Sequence, residues 1–264
     1  MGAGPVHLAF FGWFFMAVEM IFLYFVQRAR RDAGIVDVGW AGGMGILAVF
    51  YGVMAEGDIA RRIVLALLAG FWSFRLASHL LRRYVHQKED GRYRMLREKW
   101  GERAQRYFFI FFQVQALWAI MFSVPFLVVA YNPFPGLTFF DILGIAVWFI
   151  AVGGESLADR QLAGFRANPA NRGKTCRVGL WKYSRHPNYF FEFTHWFAYI
   201  FMGAGSPHFW VTFFGPAIML LFLYKVTGIP YTEKQALLSR GEDYREYQRT
   251  TSAFIPWFPR KGES

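Results

Sequence analysis

Long apolar runs separated by short polar segments dominate the chain. A helix needs about 20 apolar residues to cross a bilayer. Seven runs reach or approach that length, near residues 5–26, 35–55, 60–81, 108–131, 139–157, 189–205 and 208–228. The last two meet at 203–207, which predicts a tight helical hairpin. The pattern therefore predicts an all-α fold, a polytopic integral membrane bundle of seven transmembrane helices.

Composition agrees with this pattern and does not fit an ordinary soluble domain. Of the 264 residues, 55% are hydrophobic and 20% are aromatic, and the mean hydropathy is positive. Residues 1–26 lack both a basic stretch and a small-residue cleavage pattern. We interpret them as the first span and not as a removable signal.

The distribution of basic residues predicts the orientation. With the N-terminus outside, four segments are cytoplasmic: the loop after the first span, 82–107, 158–188 and the tail from 229. They hold 3, 9, 7 and 6 of the 29 Lys and Arg residues. The opposite orientation inverts this bias, so the sequence predicts an N-out, C-in topology.

Within the tail, Thr232 to Tyr247 has the pattern of one short amphipathic surface helix, ended by Pro256 and Pro259.

The net charge of +11 raises the question of an anionic partner. The basic residues lie between apolar runs, which favours lipid head groups or a phosphorylated small molecule and not nucleic acid. The single cysteine, Cys176, excludes an intrachain disulfide and a thiolate metal cluster. Lys174 and Arg177 are neighbours of the kind that lower a thiol pKa, but an incidental loop cysteine is the favoured interpretation.

The stretch 179–192 carries the densest candidate chemistry. Pro187 disfavours helix before it and favours a helix start. Asn188 and Glu192 are then one turn apart at the positive end of the sixth span. A carboxylate inside a span is costly unless it is paired or functional. The structural alternative is an ion pair of Glu192 with Arg185 or Lys225.

Asp159 and Arg166 form a second candidate pair, at the end of the fifth span and in the loop after it. Seven residues apart, they lie on one side of a helix if the helix continues. An aspartate accepts hydrogen bonds from ribose or adenine, and the arginine fork binds phosphate. Taken alone, the pair is more typical of an ordinary juxtamembrane ion pair than of a cofactor site.

Three polar residues of the N-terminal half fall within or beside apolar runs: Asp37, Arg75 and His79. Arg75 and His79 are four residues apart and share one helix face. A site that polarises a substrate and a structural Asp37–Arg75 bridge between spans are both compatible with this spacing. His79 alone is interpreted as a packed polar residue.

Metal and nucleotide motifs are poorly represented. The six histidines show no metal-ligand spacing apart from Glu192 and His195, and this Glu-x-x-His pair lacks the second copy of a di-iron bundle. No metal site is therefore predicted. Walker, Gly-x-Gly-x-x-Gly and Gly-x-Ser-x-Gly motifs do not occur, which argues against soluble nucleotide folds and the common serine hydrolases.

Taken together, several of these elements resemble the steroid 5α-reductase family, in particular its small bacterial membrane proteins. The elements are Asp159, Arg166, Gly179-Leu180-Trp181, His186-Pro187-Asn188-Tyr189 and the acidic-aromatic tail. The resemblance is clearest over 155–258, looser at Asp90-Gly91-Arg92-Tyr93, and weak in the first 80 residues.

This resemblance implies a single membrane domain over 1–264, with substrate-side helices in 1–131 and an NADPH-binding part in 132–264. It implies hydride transfer from NADPH to the C=C bond of an α,β-unsaturated ketone, with 3-oxo-Δ4 steroids as the best-known substrates. By motif position, Asp159 and Arg166 would contact the adenosine and phosphate parts, Asn188 the nicotinamide amide, and Glu192 the nicotinamide ribose. The remaining implied cofactor ligands are Tyr183, His186, Glu233 and Tyr244.

The family also polarises the substrate ketone with an acidic residue on its second span and a tyrosine on its third. Asp37 is the candidate acid, but Leu76 occupies the expected tyrosine position, beside Arg75. Hydride addition to an enone places negative charge on the ketone oxygen. A protonated Asp37 or Arg75 would stabilise that charge in a dry site.

Two other functions are compatible with parts of the sequence. Arg185 to Tyr189 matches an Arg-His-Pro-x-Tyr element of isoprenylcysteine- or phospholipid-methyltransferase-like enzymes, which use S-adenosylmethionine. The third hypothesis is a non-enzymatic lipid-binding or transport protein. The expected partners are a lipophilic small-molecule substrate and membrane lipids, and protein partners are not predicted. The expected location is the bacterial inner membrane, or the endoplasmic reticulum in a eukaryote.

Overall fold

The computed structural model describes residues 4–226 and 228–260, and within them every regular element is a helix. The ten α-helices are α1 (Pro5–Arg30), α2 (Ile35–Met54), α3 (Ile59–His86), α4 (Gly91–Trp100), α5 (Ala104–Ala130), α6 (Phe139–Ala167), α7 (Pro187–Met202), α8 (Phe214–Leu221), α9 (Ile229–Arg240) and α10 (Glu242–Thr250). The predicted all-helical fold class is confirmed.

Six helical segments of the described chain are long and apolar enough to cross a membrane: Pro5–Arg30, Ile35–Met54, Ile59–His86, Gly91–Ala130, Phe139–Ala167 and Phe209–Arg240. The chain is therefore a multi-pass membrane protein. At the position of the predicted sixth span, α7 has 16 residues, fewer than the roughly 20 that cross the hydrocarbon core without tilt or thinning. The count of seven spans stays a prediction.

Several helix boundaries differ from the apolar runs. The third helix continues to His86 and the sixth to Ala167, because hydropathy marks where lipid contact ends and not where backbone hydrogen bonding ends. The last run is not one regular helix. A 3-10 turn (Phe209–Phe213) precedes α8, and a π-helical turn (Phe222–Val226) follows it.

The tail contains two helices, not the single amphipathic helix that the sequence predicts. Gly241 separates α9 from α10 and has φ of +56°, a conformation that favours glycine and ends a helix. Ala236, Tyr244 and Tyr247 are buried together across this break. The second helix ends at Thr250, before the two prolines that were expected to end it.

The chain forms two compact units, which are described separately below. Unit 1 comprises Met1–Asp141 with Met202–Phe214, and unit 2 comprises Ile142–Phe201 with Gly215–Ser264. In unit 1, α2 packs tightly on α3 through small residues. A Cβ atom on Gly45 would lie 2.3 Å from the Ser73 hydroxyl, and one on Gly52 would lie 3.0 Å from the Arg62 carbonyl oxygen. Such close backbone approach is typical of membrane helix pairs.

A buried ion pair joins the start of α3 to the start of α6. Arg61 is fully buried, and its guanidinium donates to both carboxylate oxygens of Asp141 at 2.7 and 2.8 Å. It also donates to the carbonyl oxygens of Phe134 and Gly136, each at 2.8 Å.

Replacing Arg61 by alanine should destabilise the protein by about 3–5 kcal/mol, because the Asp141 carboxylate is left buried without its partner. The measurement is the unfolding free energy of the purified protein in a detergent titration. Arg245→Ala is the matched control, since the Arg245–Glu242 pair is about two-thirds exposed and such pairs contribute about 1 kcal/mol or less. Equal losses in the two variants would contradict a special role of the Arg61 pair.

Candidate functional site

In unit 2, α6 and α7 bring two predicted cofactor residues together. The helix does continue to Ala167, so Asp159 and Arg166 are both on α6. Pro187 is the first residue of α7, as predicted. The side-chain amide of Asn188 donates to Asp159 Oδ1 at 3.3 Å. The structure therefore unites residues 29 positions apart in the sequence at the mouth of α7.

Two further carboxyl groups continue this site along the same helices. Glu192 follows Asn188 by one turn on α7, and Glu155 precedes Asp159 by one turn on α6. Glu155 is 6% exposed and Glu192 is partly buried. Gly154 packs against the ring of Phe191, so the two helices run close together here. Sequence reasoning missed Glu155, although a carboxyl four residues before Asp159 inside an apolar run was a usable signal.

Segment 179–182 is fixed against α6 by two hydrogen bonds. The backbone amide of Leu180 donates to Gln161 Oε1 at 2.8 Å, and the indole of Trp181 donates to the Ala158 carbonyl oxygen at 2.9 Å. Gly179 has φ of +56° and lies against the Gln161 amide, so a side chain there would be strained and would clash. The Gly-Leu-Trp element thus holds the loop that leads into α7.

Glu233 is the centre of a polar cluster that contains several predicted cofactor residues. Its Oε1 accepts hydrogen bonds from Arg185 Nε at 2.6 Å and Tyr244 Oη at 3.3 Å, and lies 3.2 Å from His186 Nε2. Its Oε2 accepts from Arg185 Nη2 at 3.2 Å and Gln248 Nε2 at 2.6 Å. A carboxylate has about four acceptor positions, and these contacts use them.

The Glu233 cluster has two consequences for the sequence interpretation. Arg185 pairs with Glu233 and also donates to the Gln248 and Thr251 carbonyl oxygens. The Glu192–Arg185 ion pair, which the sequence allowed as an alternative, is therefore not formed. The contacts of Glu233, His186 and Tyr244 tie the loop before α7 to α9 and α10, which favours a supporting role over direct cofactor contact.

Arg166 is exposed on α6 and lies near a second guanidinium that sequence reasoning missed. Burial raises the pKa of the Cys176 thiol, while the charges of Arg166 and Arg240 act in the opposite direction. Both cations are therefore close to Cys176. The thiol itself is buried and stays protonated at neutral pH, which agrees with an incidental cysteine.

Tyr183, the remaining predicted ligand, belongs to a packed C-terminal segment. Its carbonyl oxygen accepts from the backbone amide of Trp257 at 2.9 Å, and its ring meets Phe258 edge-on at 6.0 Å. Ser184 holds the same segment by donating to the Phe254 carbonyl oxygen at 2.7 Å. The contacts of Tyr183 thus hold the C-terminal segment in place.

In unit 1, Asp37 is held between two residues of α4. Tyr93 Oη donates to Asp37 Oδ1 at 2.6 Å, and Arg92 Nη2 donates to Asp37 Oδ2 at 3.0 Å. The family resemblance implied a tyrosine partner on the third span, but Leu76 occupies that position. The structure instead supplies a tyrosine from α4, which lies 56 residues after Asp37.

Arg92 is held rigidly and keeps one nitrogen available. Its Nε and Nη2 donate to Asp90, and Nη2 also donates to Asp37. Within the described chain, Nη1 makes no hydrogen bond, and the side chain is 26% exposed. Asp90 also accepts from Arg83 at 2.8 Å. Asp37 and Asp90 thus fix the orientation of the Arg92 guanidinium. Of the other N-terminal candidates, Arg75 is partly buried on α3 and His79 is exposed.

Chemically, unit 2 offers carboxyl and amide groups beside a pair of guanidinium groups, and unit 1 offers an oriented arginine with a tyrosine. No cluster of three or more His, Cys, Asp or Glu side chains in the described ranges has the geometry to hold a metal ion. Unit 2 therefore suits hydrogen bonding to sugar and amide groups and binding of phosphate, and unit 1 by itself suits hydrogen bonding to an anionic oxygen.

Comparison with known proteins gives one match. The family described as "Protein of unknown function (DUF1295)" matches residues 23–251. Searches of curated proteins and of solved structures found no match. Because the matched range covers most of the chain, the protein belongs to the DUF1295 family.

Proposed function

We propose that the protein is an NADPH-dependent reductase that saturates the C=C bond of an α,β-unsaturated ketone in a flat lipid, such as a 3-oxo-Δ4 steroid. The observation that carries this proposal is the Asp159–Asn188 contact at the mouth of α7, with Arg166 at the end of the same α6 helix. The resemblance of these residues to steroid 5α-reductases supports it.

The residues of unit 2 fit the chemical groups of NADPH. Asn188 both donates and accepts, as a nicotinamide carboxamide requires. Asp159 contacts Asn188 and therefore accepts from a hydroxyl of the adjoining ribose, for which Glu155 and Glu192 are further acceptors. Arg166 and Arg240 bind phosphate. When bound, the reduced nicotinamide supplies hydride to the β-carbon of the enone.

In unit 1, Arg92 polarises the substrate ketone. Asp37 and Asp90 hold its guanidinium in place, and Nη1 donates to the ketone oxygen, where negative charge develops. Asp37 therefore acts by positioning Arg92 and Tyr93, and not as the protonated donor that the sequence analysis expected. Because the donor is fixed before the reaction, little reorganisation is required when the charge appears.

We also propose the finer topology, with seven spans, the N-terminus outside and the C-terminus in the cytoplasm. A fluorescent protein fused to the C-terminus should fluoresce, and alkaline phosphatase inserted at Gly205 should be active, because α7 then crosses the membrane. If α7 does not cross, the Gly205 fusion is inactive. An active C-terminal phosphatase, together with an active phosphatase inserted in 82–107, would reverse the orientation.

The function is tested with purified protein, NADPH and a 3-oxo-Δ4 steroid. The expected result is oxidation of NADPH with formation of the saturated ketone. A parallel measurement compares how NADPH and S-adenosylmethionine shift the melting temperature, since a ligand of the folded state stabilises it. Stabilisation by S-adenosylmethionine alone, with methyl transfer to a lipid or prenylcysteine, would replace the proposal by the methyltransferase function. A failure of both nucleotides to bind would favour a non-enzymatic protein.

Replacing Arg166 by alanine should raise the Kd for NADPH about 10- to 150-fold, because loss of a charge-assisted phosphate contact costs about 1.5–3 kcal/mol. Turnover at saturating NADPH should change less, since the contact is already made in the ground state. The measurement is titration of the purified variant. Arg245→Ala, an exposed arginine of α10, is the matched control. If Arg166→Ala binds NADPH as tightly as the parent, Arg166 is only a juxtamembrane anchor.

A further inference from the structure

A carboxyl group inside the first span has no role in the proposed reaction. Glu19 lies near the middle of α1, and its Oε2 is buried with no hydrogen-bond partner in the described part of the chain. An ionised carboxylate is costly to bury alone, so the group is neutral unless a partner balances its charge. Ionisable residues inside spans are rare and usually functional.

The glycines of α2 make room for this carboxyl. A Cβ atom on Gly43 would lie 3.0 Å from Glu19 Oε2, and one on Gly39 would lie 3.4 Å from Oε1. Farther along the same antiparallel pair, Gly12 of α1 faces Leu47 of α2. Positions 12, 16, 19 and 23 of α1 thus form one stripe against α2, and Glu19 lies within it.

An apolar cavity of about 390 Å³ occupies the same interface, one helical turn from Glu19. Its lining is Leu8, Phe11, Gly12, Phe15, Ile46, Leu47, Phe50 and Met54. Leu8 and Leu47 are buried, whereas Phe11, Phe15 and Ile46 are 41–55% exposed, so the cavity opens on the lipid-facing surface. The Glu19 carboxyl, beside Gly43, is about one helical turn of α2 from Leu47 of this lining.

We infer that the α1–α2 groove binds a neutral lipid from the bilayer, whose apolar body fills the cavity and whose single hydroxyl or ketone oxygen hydrogen-bonds with Glu19. The cavity volume is within the usual range of small-molecule sites, about 300–1,000 Å³. The neutral carboxyl supplies the polar contact that fixes orientation. A charged fatty acid is excluded, because it would place two carboxyl groups together. The inference concerns unit 1 alone and does not depend on reductase activity.

The test uses three photoactivatable probes with the same diazirine-bearing C16 chain: an alcohol, a fatty acid and a hydrocarbon without a head group. Purified protein in nanodiscs is labelled, and the labelled residues are mapped by mass spectrometry. The alcohol should label 8–15 and 46–54 about fivefold more than the other two probes, because one hydrogen bond contributes about 1 kcal/mol.

Three variants make the result decisive. Glu19→Leu should reduce labelling by the alcohol to the level of the hydrocarbon, and Glu19→Gln, which keeps a donor and an acceptor, should retain it. Ile46→Trp fills the cavity and should suppress labelling by the alcohol and the hydrocarbon alike, without touching Glu19. Equal labelling by alcohol and hydrocarbon in the parent, or unchanged alcohol labelling in Ile46→Trp, would overturn the inference. Melting profiles establish that each variant is folded.

Discussion

Replacing Arg92 by lysine should lower turnover about 100- to 1,000-fold while leaving the protein folded. Loss of one preorganised donor to an anionic oxygen has effects of that size. Lysine keeps the charge but lacks the planar fork that allows Arg92 to bind Asp37 and Asp90 while Nη1 remains available. The measurement is kcat for enone reduction at saturating NADPH.

The control is Arg94→Lys, the same substitution two residues away at an exposed position of α4. It should leave turnover unchanged. Added guanidinium ion should partly restore activity to Arg92→Ala, which a merely structural role would not allow. Asp37→Asn should reduce turnover less than Arg92→Lys, because Asp90 still holds the arginine. If Arg92→Lys retains full activity, the network in unit 1 only joins α2 to α4.

Replacing Glu192 by alanine should reduce turnover about 100-fold or more. Correct orientation of reactants supplies a large share of the rate, and a small misplacement of the nicotinamide has effects of this order. Glu192 lies one turn from the Asp159–Asn188 contact, on the helix that begins at Pro187. The measurement is single-turnover reduction of the enone with NADPH already bound.

The matched control for Glu192→Ala is Thr194→Val on the same helix. The Thr194 hydroxyl donates to the Phe190 carbonyl oxygen at 2.8 Å, a local contact within α7, so its loss should leave turnover nearly unchanged. Asn188→Ala should weaken cofactor binding as well as turnover, since it loses the contact with Asp159. Full activity of Glu192→Ala would assign the carboxyl to helix packing.

The apolar runs predicted the helices of the first two spans closely, because about 20 consecutive apolar residues are stable as a helix in lipid and little else is. They predicted the ends of α3 and α6 poorly. Those ends contain charged residues, such as Arg82 and Arg83 on α3 and Asp159 and Arg160 on α6, which lower the hydropathy while the backbone hydrogen bonds continue. The prediction of a single tail helix was wrong because Gly241 adopts a positive φ, which ends α9 there.

The candidate site was predicted in parts. A proline at a helix start and a carboxyl four residues later are local signals, and they placed Asn188 and Glu192 on the first turns of α7. The resemblance assigned Asn188 and Asp159 to different parts of the cofactor, and the hydrogen bond between them was not predicted. Glu233 was assigned to the cofactor from its motif position, whereas its hydrogen bonds to Arg185, Gln248 and Tyr244 appear only once α9 packs on the loop before α7.

The sequence by itself determined that this protein is a helical membrane protein with its polar chemistry concentrated around the start of α7. Both properties depend on residues close together in the chain. Only the tertiary structure decided that Asp37 meets Arg92 and Tyr93, and that Glu19 faces Gly39 and Gly43. Contacts between helices depend on the rotation and depth of each helix against its neighbour. The rotation and depth of a helix depend on side-chain volumes over the whole interface, so they cannot be predicted from a local sequence pattern.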